Sequence, residues 1–162
     1  MKRIYSLLVT LALVAPLAAP AQLGNLSEPH TPKSYIVYAE SSQSVPAKHP
    51  AMLELHFRVL PGYHVNSHKP TESFLIPTAL TLKPSTGVKA GEPIYPAGST
   101  YSFAFDPKEK LSVYAGDFVV KIPVTASPGG RVMDGELRYQ ACNNAACFPP
   151  RTLTIKVPFT AK

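Results

Sequence analysis

The chain contains two cysteines, Cys142 and Cys147, separated by Asn143-Asn144-Ala145-Ala146. Two cysteines allow only one internal pairing. The turn-like residues between them read as the tip of a β-hairpin, short enough to bring the two Cβ atoms within bonding distance. Two readings of such a bond stand side by side. One is a plain staple. Closing this six-residue ring removes unfolded-chain entropy equivalent to about 2 kcal/mol. The other is a dithiol that cycles, because a small ring within a turn is easily strained and exchangeable. Phe148 and the prolines after it would stiffen such a site and offer an apolar docking surface. A metal site fits less well, since two sulfurs at this spacing lack the usual second ligand pair. No lysine or histidine stands immediately beside the pair in sequence, so nothing local explains how a thiolate would be favoured.

Other chemistry-bearing residues form weaker patterns. His64 and His68 are four apart, with His56 upstream. On an extended segment, residues four apart share a face but lie ~13 Å from each other, too far for one metal. Ser67, Ser73 and Asp106 make no nucleophile–base arrangement. There is no phosphate-binding glycine loop. The expectation is therefore no metal and no cofactor. The formal charge of +6 comes from scattered basic residues, without a stripe interleaved by aromatics, so nucleic-acid binding is not expected.

The compartment suits a disulfide. Met1-Lys2-Arg3 precedes an apolar run from Ile4 to Ala19, with small residues at Ala19-Pro20-Ala21. That reads as a secretory signal peptide over residues 1–21. Pro16 and Pro20 interrupt a run already short for a membrane span. Outside the cytosol a close cysteine pair can oxidise and stay oxidised.

The elements that must position the pair are strands. Residues 22–33 carry Gly24, Asn25, Pro29 and Pro32 and read as a flexible lead-in. From there to residue 162 one domain is expected. Leu53, Leu55, Phe57 and Val59 alternate with Glu54, His56 and Arg58, a period of two with one buried face. Phe118, Val120, Ile122 and Val124 repeat the pattern, as do Leu153, Ile155, Val157 and Phe159. Shorter strands are expected at Tyr35–Tyr38, Tyr63–Asn66, Thr78–Lys83 and through Leu137, Tyr139 and Ala141. Tyr101, Phe103 and Phe105 also repeat at spacing two. Gly87–Lys110 as a whole reads as a long excursion between strands. Eighteen prolines argue against long helices. The expected fold is all-β, an immunoglobulin-like antiparallel sandwich, without the buried tryptophan or the long-range disulfide of antibody domains.

The stretch Tyr139-Gln140-Ala141-Cys142, followed by Cys147-Phe148-Pro149-Pro150, resembles the active-site hairpin of the N-terminal periplasmic domain family of the thiol:disulfide interchange protein DsbD, and of related stand-alone disulfide bond corrector domains. Gly62-Tyr63-His64-Val65-Asn66-Ser67, then Pro70 and Leu75-Ile76-Pro77, and also Tyr114-Ala115-Gly116, are softer matches. The resemblance runs from about Ser34 to Phe159. It implies a periplasmic immunoglobulin-like domain that relays reducing equivalents. The donor would be a membrane electron transporter or a thioredoxin-like domain, here on a separate protein, and the acceptors oxidised periplasmic thiol–disulfide proteins. Cys142 and Cys147 would be the redox pair, with Cys147 exchanging with the partner sulfur and Cys142 resolving the mixed disulfide. The family also implies an aromatic cap over the disulfide. Its counterpart is expected within Tyr95–Lys110, where Tyr101, Phe103 or Phe105 could serve or could instead be core residues. Tyr63, Tyr139 and Phe148 are further candidates for support around the pair. A monomer is expected. The alternative function is a non-catalytic immunoglobulin-like binding module whose disulfide only stiffens a hairpin.

Overall fold

The computed structural model describes residues 33–103 and 106–162. The expected leader, the lead-in apart from Lys33, and Phe105 lie outside the described residues. The described chain is all-β, in three four-stranded sheets. The first orders β1 (Ile36–Ala39), β3 (Ala51–Val59), β9 (Asp117–Ala126) and β6 (Val88–Ala90). The second orders β2 (Gln43–Val45), β12 (Arg151–Ala161), β10 (Gly129–Tyr139) and β5 (Ala79–Leu82). The third orders β11 (Ala141–Cys142), β4 (His64–Asn66), β8 (Asp106–Tyr114) and β7 (Ser99–Phe103).

The first two sheets make the immunoglobulin-like sandwich. Their alternating apolar residues meet in one core. Leu53, Leu55, Phe57 and Val59 of β3 join Val120, Ile122 and Val124 of β9, facing Met133, Leu137, Ile155, Val157 and Phe159 of β10 and β12. Each such side chain, fully buried, contributes ~1.5–3 kcal/mol by leaving water. The intervening Glu54, Lys121, Asp134 and Lys156 stay on the wet faces, where Glu54 meets Lys121 at 2.9 Å and Asp134 meets Lys156 at 3.0 Å. Among the described strands the pairings are antiparallel, except that β2 runs parallel to β12 over Gln43–Val45.

The third sheet is built from what the sandwich extends beyond its own edges. β10 pairs with β12 in unbroken register from Gly129↔Ala161 to Tyr139↔Arg151. After Gln140 the same strand path continues as β11, which leaves β12 and pairs with β4 instead. A tight turn delivers β4 to that place. Tyr63 N–H donates to Leu60 C=O at 3.2 Å, with Gly62 at φ +81°. Pro61 at the second corner and a glycine at positive φ in the third are what a type II turn requires. β4 is three residues long and buried throughout. Val65 joins the core, while His64 and Asn66 take the opposite face.

Gly87–Lys110 differs from the expected excursion. It holds β6, β7 and the start of β8. Pro93 and Pro96 break it into strands too short for a clear period, and Ile94 still makes a two-way backbone bridge to Lys121, at 2.8 and 2.9 Å. At the entry to β7 the chain passes very close to β8. A Cβ on Gly98 would collide with Ser112 Oγ and lie 2.9 Å from Ser67 Cβ. Only glycine fits that crossing.

Candidate redox site

Cys142 and Cys147 are joined by a disulfide, with Cα atoms 3.9 Å apart. The two residues face each other as an antiparallel bridge. The hairpin holding them is closed mainly by its own backbone. Phe148 N–H donates to Ala141 C=O at 2.8 Å, and Asn143 N–H donates to Ala146 C=O at 2.9 Å. Inside the turn, Asn143 Oδ1 accepts from the N–H groups of both Ala145 and Ala146, each at 2.9 Å. This is the side-chain-capped turn that asparagine favours. The sulfurs are not equivalent. Cys142 is buried, with 0% exposure, whereas Cys147 is exposed at the tip.

Three groups of residues surround the pair. On one side, Phe148 stacks on Tyr35 with centroids 5.0 Å apart, and Tyr63 closes the cluster at 4.7 Å from Tyr35 and 5.9 Å from Phe148. The Arg151 guanidinium lies 4.5 Å from the Tyr35 ring centre, a cation–π contact. Behind the pair, a chain of amide hydrogen bonds ties the hairpin to the β4–β5 connection. Asn66 Nδ2 donates to Ile76 C=O at 3.0 Å and to Gln140 Oε1 at 3.3 Å, and Gln140 Nε2 donates to Phe148 C=O at 3.2 Å.

On the third side lie His64 and β7. His64 is the register partner of Cys142, so the two side chains share a face of the sheet. The rings of Tyr101 and Phe103 lie against that of His64, at 4.0 and 6.0 Å, and Tyr101 O–H donates to Asn144 Oδ1 of the hairpin at 2.8 Å. His64 is 3% exposed, and burial holds its pKa below the ordinary histidine value. Its Nε2 has no hydrogen-bond partner among the described residues.

The chain matches the family model described as thiol:disulfide interchange protein DsbD, N-terminal, over residues 35–158. It belongs to the DsbD N-terminal family. Among solved structures, the reduced DsbD N-terminal domain of Neisseria meningitidis is 20% identical, with a TM-score of 0.44, over 67% of this chain and 77% of that one. A complex of the DsbD and PilB N-terminal domains from the same organism matches at 19% identity and a TM-score of 0.48, over 78% of this chain and 84% of that one. The N-terminal periplasmic domain of ScsB from Proteus mirabilis matches at 14% identity and a TM-score of 0.44, over 75% of this chain and 44% of that one. No curated protein matches by sequence.

Within this member of the DsbD N-terminal family, the residues singled out from sequence separate into groups. Phe148 directly follows Cys147, and Tyr63 reaches the site through it. Tyr101 and Phe103 reach it through His64 and Asn144. Tyr139 does not. It is buried in the core, and its hydroxyl accepts from Tyr35 N–H at 3.1 Å and contacts Ser34 Oγ at 3.0 Å. The histidines examined as a metal pair have separate surroundings. His68 stacks on Tyr95 at 3.8 Å, and its Nδ1 sits 3.0 Å from Thr78 C=O. No group of three or more His, Cys, Asp or Glu gathers to hold a metal among the described residues. Sequence reasoning missed Tyr35 and the register that sets His64 opposite Cys142. The Gly62–Ser67 motif was the available signal for both His64 and Asn66.

Proposed function

We propose that this domain is a thiol:disulfide interchange module of the periplasm. It takes reducing equivalents from a membrane transporter or thioredoxin-like donor and passes them to oxidised proteins through Cys142 and Cys147. The observation that carries the reading is the asymmetry of the disulfide, with Cys147 exposed at a hairpin tip and Cys142 buried behind it, in a chain of the DsbD N-terminal family. Exchange begins with attack on one sulfur of the bond, and access decides which; the exposed Cys147 is that sulfur. A donor thiolate attacks Cys147 Sγ, the Cys142–Cys147 bond breaks, and Cys142 leaves as thiolate. The donor's second thiol then attacks its own bridged sulfur and releases Cys147. Two electrons have moved to the domain, and the two protons lost by the donor return to the cysteines. Delivery to an acceptor disulfide is the same sequence reversed.

The aromatic surroundings support one further assignment. Tyr101 and Phe103, held over His64, and Phe148 on the other side are the groups a partner meets beside Cys147. The test is to trap and to titrate. Cys142→Ala is expected to accumulate a mixed disulfide between Cys147 and a thioredoxin-like partner. The wild-type bond is expected to equilibrate with a glutathione buffer. A potential below about −300 mV, the range of inert structural disulfides, together with no trapped complex, would leave only the stapling role.

A further inference from the structure

We propose that His64 is the proton acceptor for the Cys142 thiol when that thiol resolves the mixed disulfide. The proposal rests on the interchange reading above and assigns the residue that makes its second step fast. Four observations meet at this side chain. β4 and β11 place His64 directly opposite Cys142. Asn66 N–H donates to Gln140 C=O at 3.3 Å, which fixes that register, and directly opposed residues have Cβ atoms only ~4.5–5.5 Å apart. Nε2 is buried with no hydrogen-bond partner among the described residues, an arrangement that costs free energy and that a catalytic role would explain. The ring is clamped by Tyr101 at 4.0 Å, and Tyr101 is anchored to the cysteine hairpin through Asn144.

The chemistry needs such a group. Cys147, exposed, can lose its proton to water. Cys142 is buried, and burial disfavours a thiolate, yet the resolving sulfur must be ionised to attack. A neutral imidazole on the same face solves this, and burial keeps His64 in the neutral form at physiological pH. After Cys147 has attacked an acceptor disulfide and expelled one acceptor thiolate, Nε2 takes the Cys142 proton. The thiolate then attacks Cys147 Sγ. The Cys142–Cys147 bond forms, the Cys147–acceptor bond breaks, and the departing acceptor thiolate collects the proton from the imidazolium directly or through solvent. The acceptor is reduced by two electrons and the domain is oxidised by two. The Tyr101 phenol and the Phe103 ring from β7 pack on the imidazole, and Cys142 faces it in register from β11; of these, the phenol and the thiol are the titratable groups.

The experiment reacts the reduced, full-length domain with dithiobis-nitrobenzoate and follows coloured thiolate release in a stopped-flow instrument. The first release reports attack by Cys147, and the second reports resolution by Cys142. His64→Gln is expected to leave the first rate unchanged and to slow the second about 100-fold near neutral pH, within the usual range for general-base assistance. The deficit should shrink as pH rises and the thiol ionises unaided. A second release with wild-type rate and pH profile in a folded His64→Gln protein overturns the proposal while leaving the interchange reading intact. A wild-type domain that gives no first release takes down both. Should His64→Gln not fold, the wild type still decides. The His64 ring is titrated by NMR in the oxidised and the reduced protein. Different midpoints are expected, and identical midpoints refute coupling to the thiols.

Discussion

Asn143 offers the sharpest test of how the hairpin sets its own redox balance. Its Oδ1 accepts two backbone hydrogen bonds at 2.9 Å each. Asn143→Ala removes both. The Ala145 and Ala146 amides lie in an exposed turn and find water, so each loss costs toward the low end of the ~0.5–1.5 kcal/mol net value of a hydrogen bond. The cost falls unequally on the two redox states. In the oxidised domain the sulfur bond holds residues 142 and 147 opposite each other, so the turn must stay closed without its cap. In the reduced domain the turn can relax. The oxidised form therefore bears more of the loss, about 1 kcal/mol for the two bonds together. At ~30 mV per 1.4 kcal/mol for a two-electron couple, the reduction potential should rise by about 20 mV. Equilibration in graded glutathione buffers, quenched by alkylation and read by mass, measures that shift. A potential unchanged within a few millivolts, or a fall, would refute the claim that the Asn143 cap helps hold the dithiol poised for closure.

Two further perturbations probe the surroundings. His64 has a folded-state pKa below its unfolded value. The unfolded chain therefore binds the extra proton first as pH falls below about 6.5, and stability should drop on acidification by up to ~1.4 kcal/mol per pH unit until the folded-state pKa is reached. Urea midpoints at pH 7.5 and 5.5, compared between the wild type and His64→Gln, check this, and the variant should lose that part of the slope. Gly98→Ala forces a Cβ against Ser112 Oγ and Ser67 Cβ. It should destabilise by about 1–3 kcal/mol, as overpacking does. Adding Ser112→Ala, which removes one of the two obstacles, should recover part of the loss in the same urea titration.

The sandwich was legible in the sequence wherever a strand alternates cleanly. Leu53, Leu55 and Phe57 pair with Ile122, Val120 and Phe118 along β3 and β9 because a one-residue slip would turn every apolar side chain outward. β6 was not legible as a strand of its own, and β7 showed only as the spacing-two repeat of Tyr101 and Phe103. Three- and five-residue pieces between prolines carry little pattern, and their place is decided by partners β9 and β8. The site divides the same way. Cys142, Cys147 and Phe148 are neighbours in the chain, so local reading brings them together. The Gly62–Ser67 motif flags His64, but its place opposite Cys142 comes from sheet register, and Tyr35 reaches the hairpin only by packing on Phe148. Tyr139 illustrates the converse. It is close to Cys142 in sequence, yet strand alternation turns its side chain into the core, where its hydroxyl accepts from the Tyr35 N–H.

The unbroken β10–β12 ladder has a consequence for durability. The two arms that carry the cysteines are already zipped together below Gln140, from Tyr139↔Arg151 down to Gly129↔Ala161. The sulfur bond is therefore a small loop at the end of a larger closed one, and opening it frees almost no chain. A carrier that opened its core at each turnover would expose unfolded segments to proteases on every cycle. Under the proposed interchange role, the change at each turnover is confined to the tip, and the ladder below Gln140 stays closed.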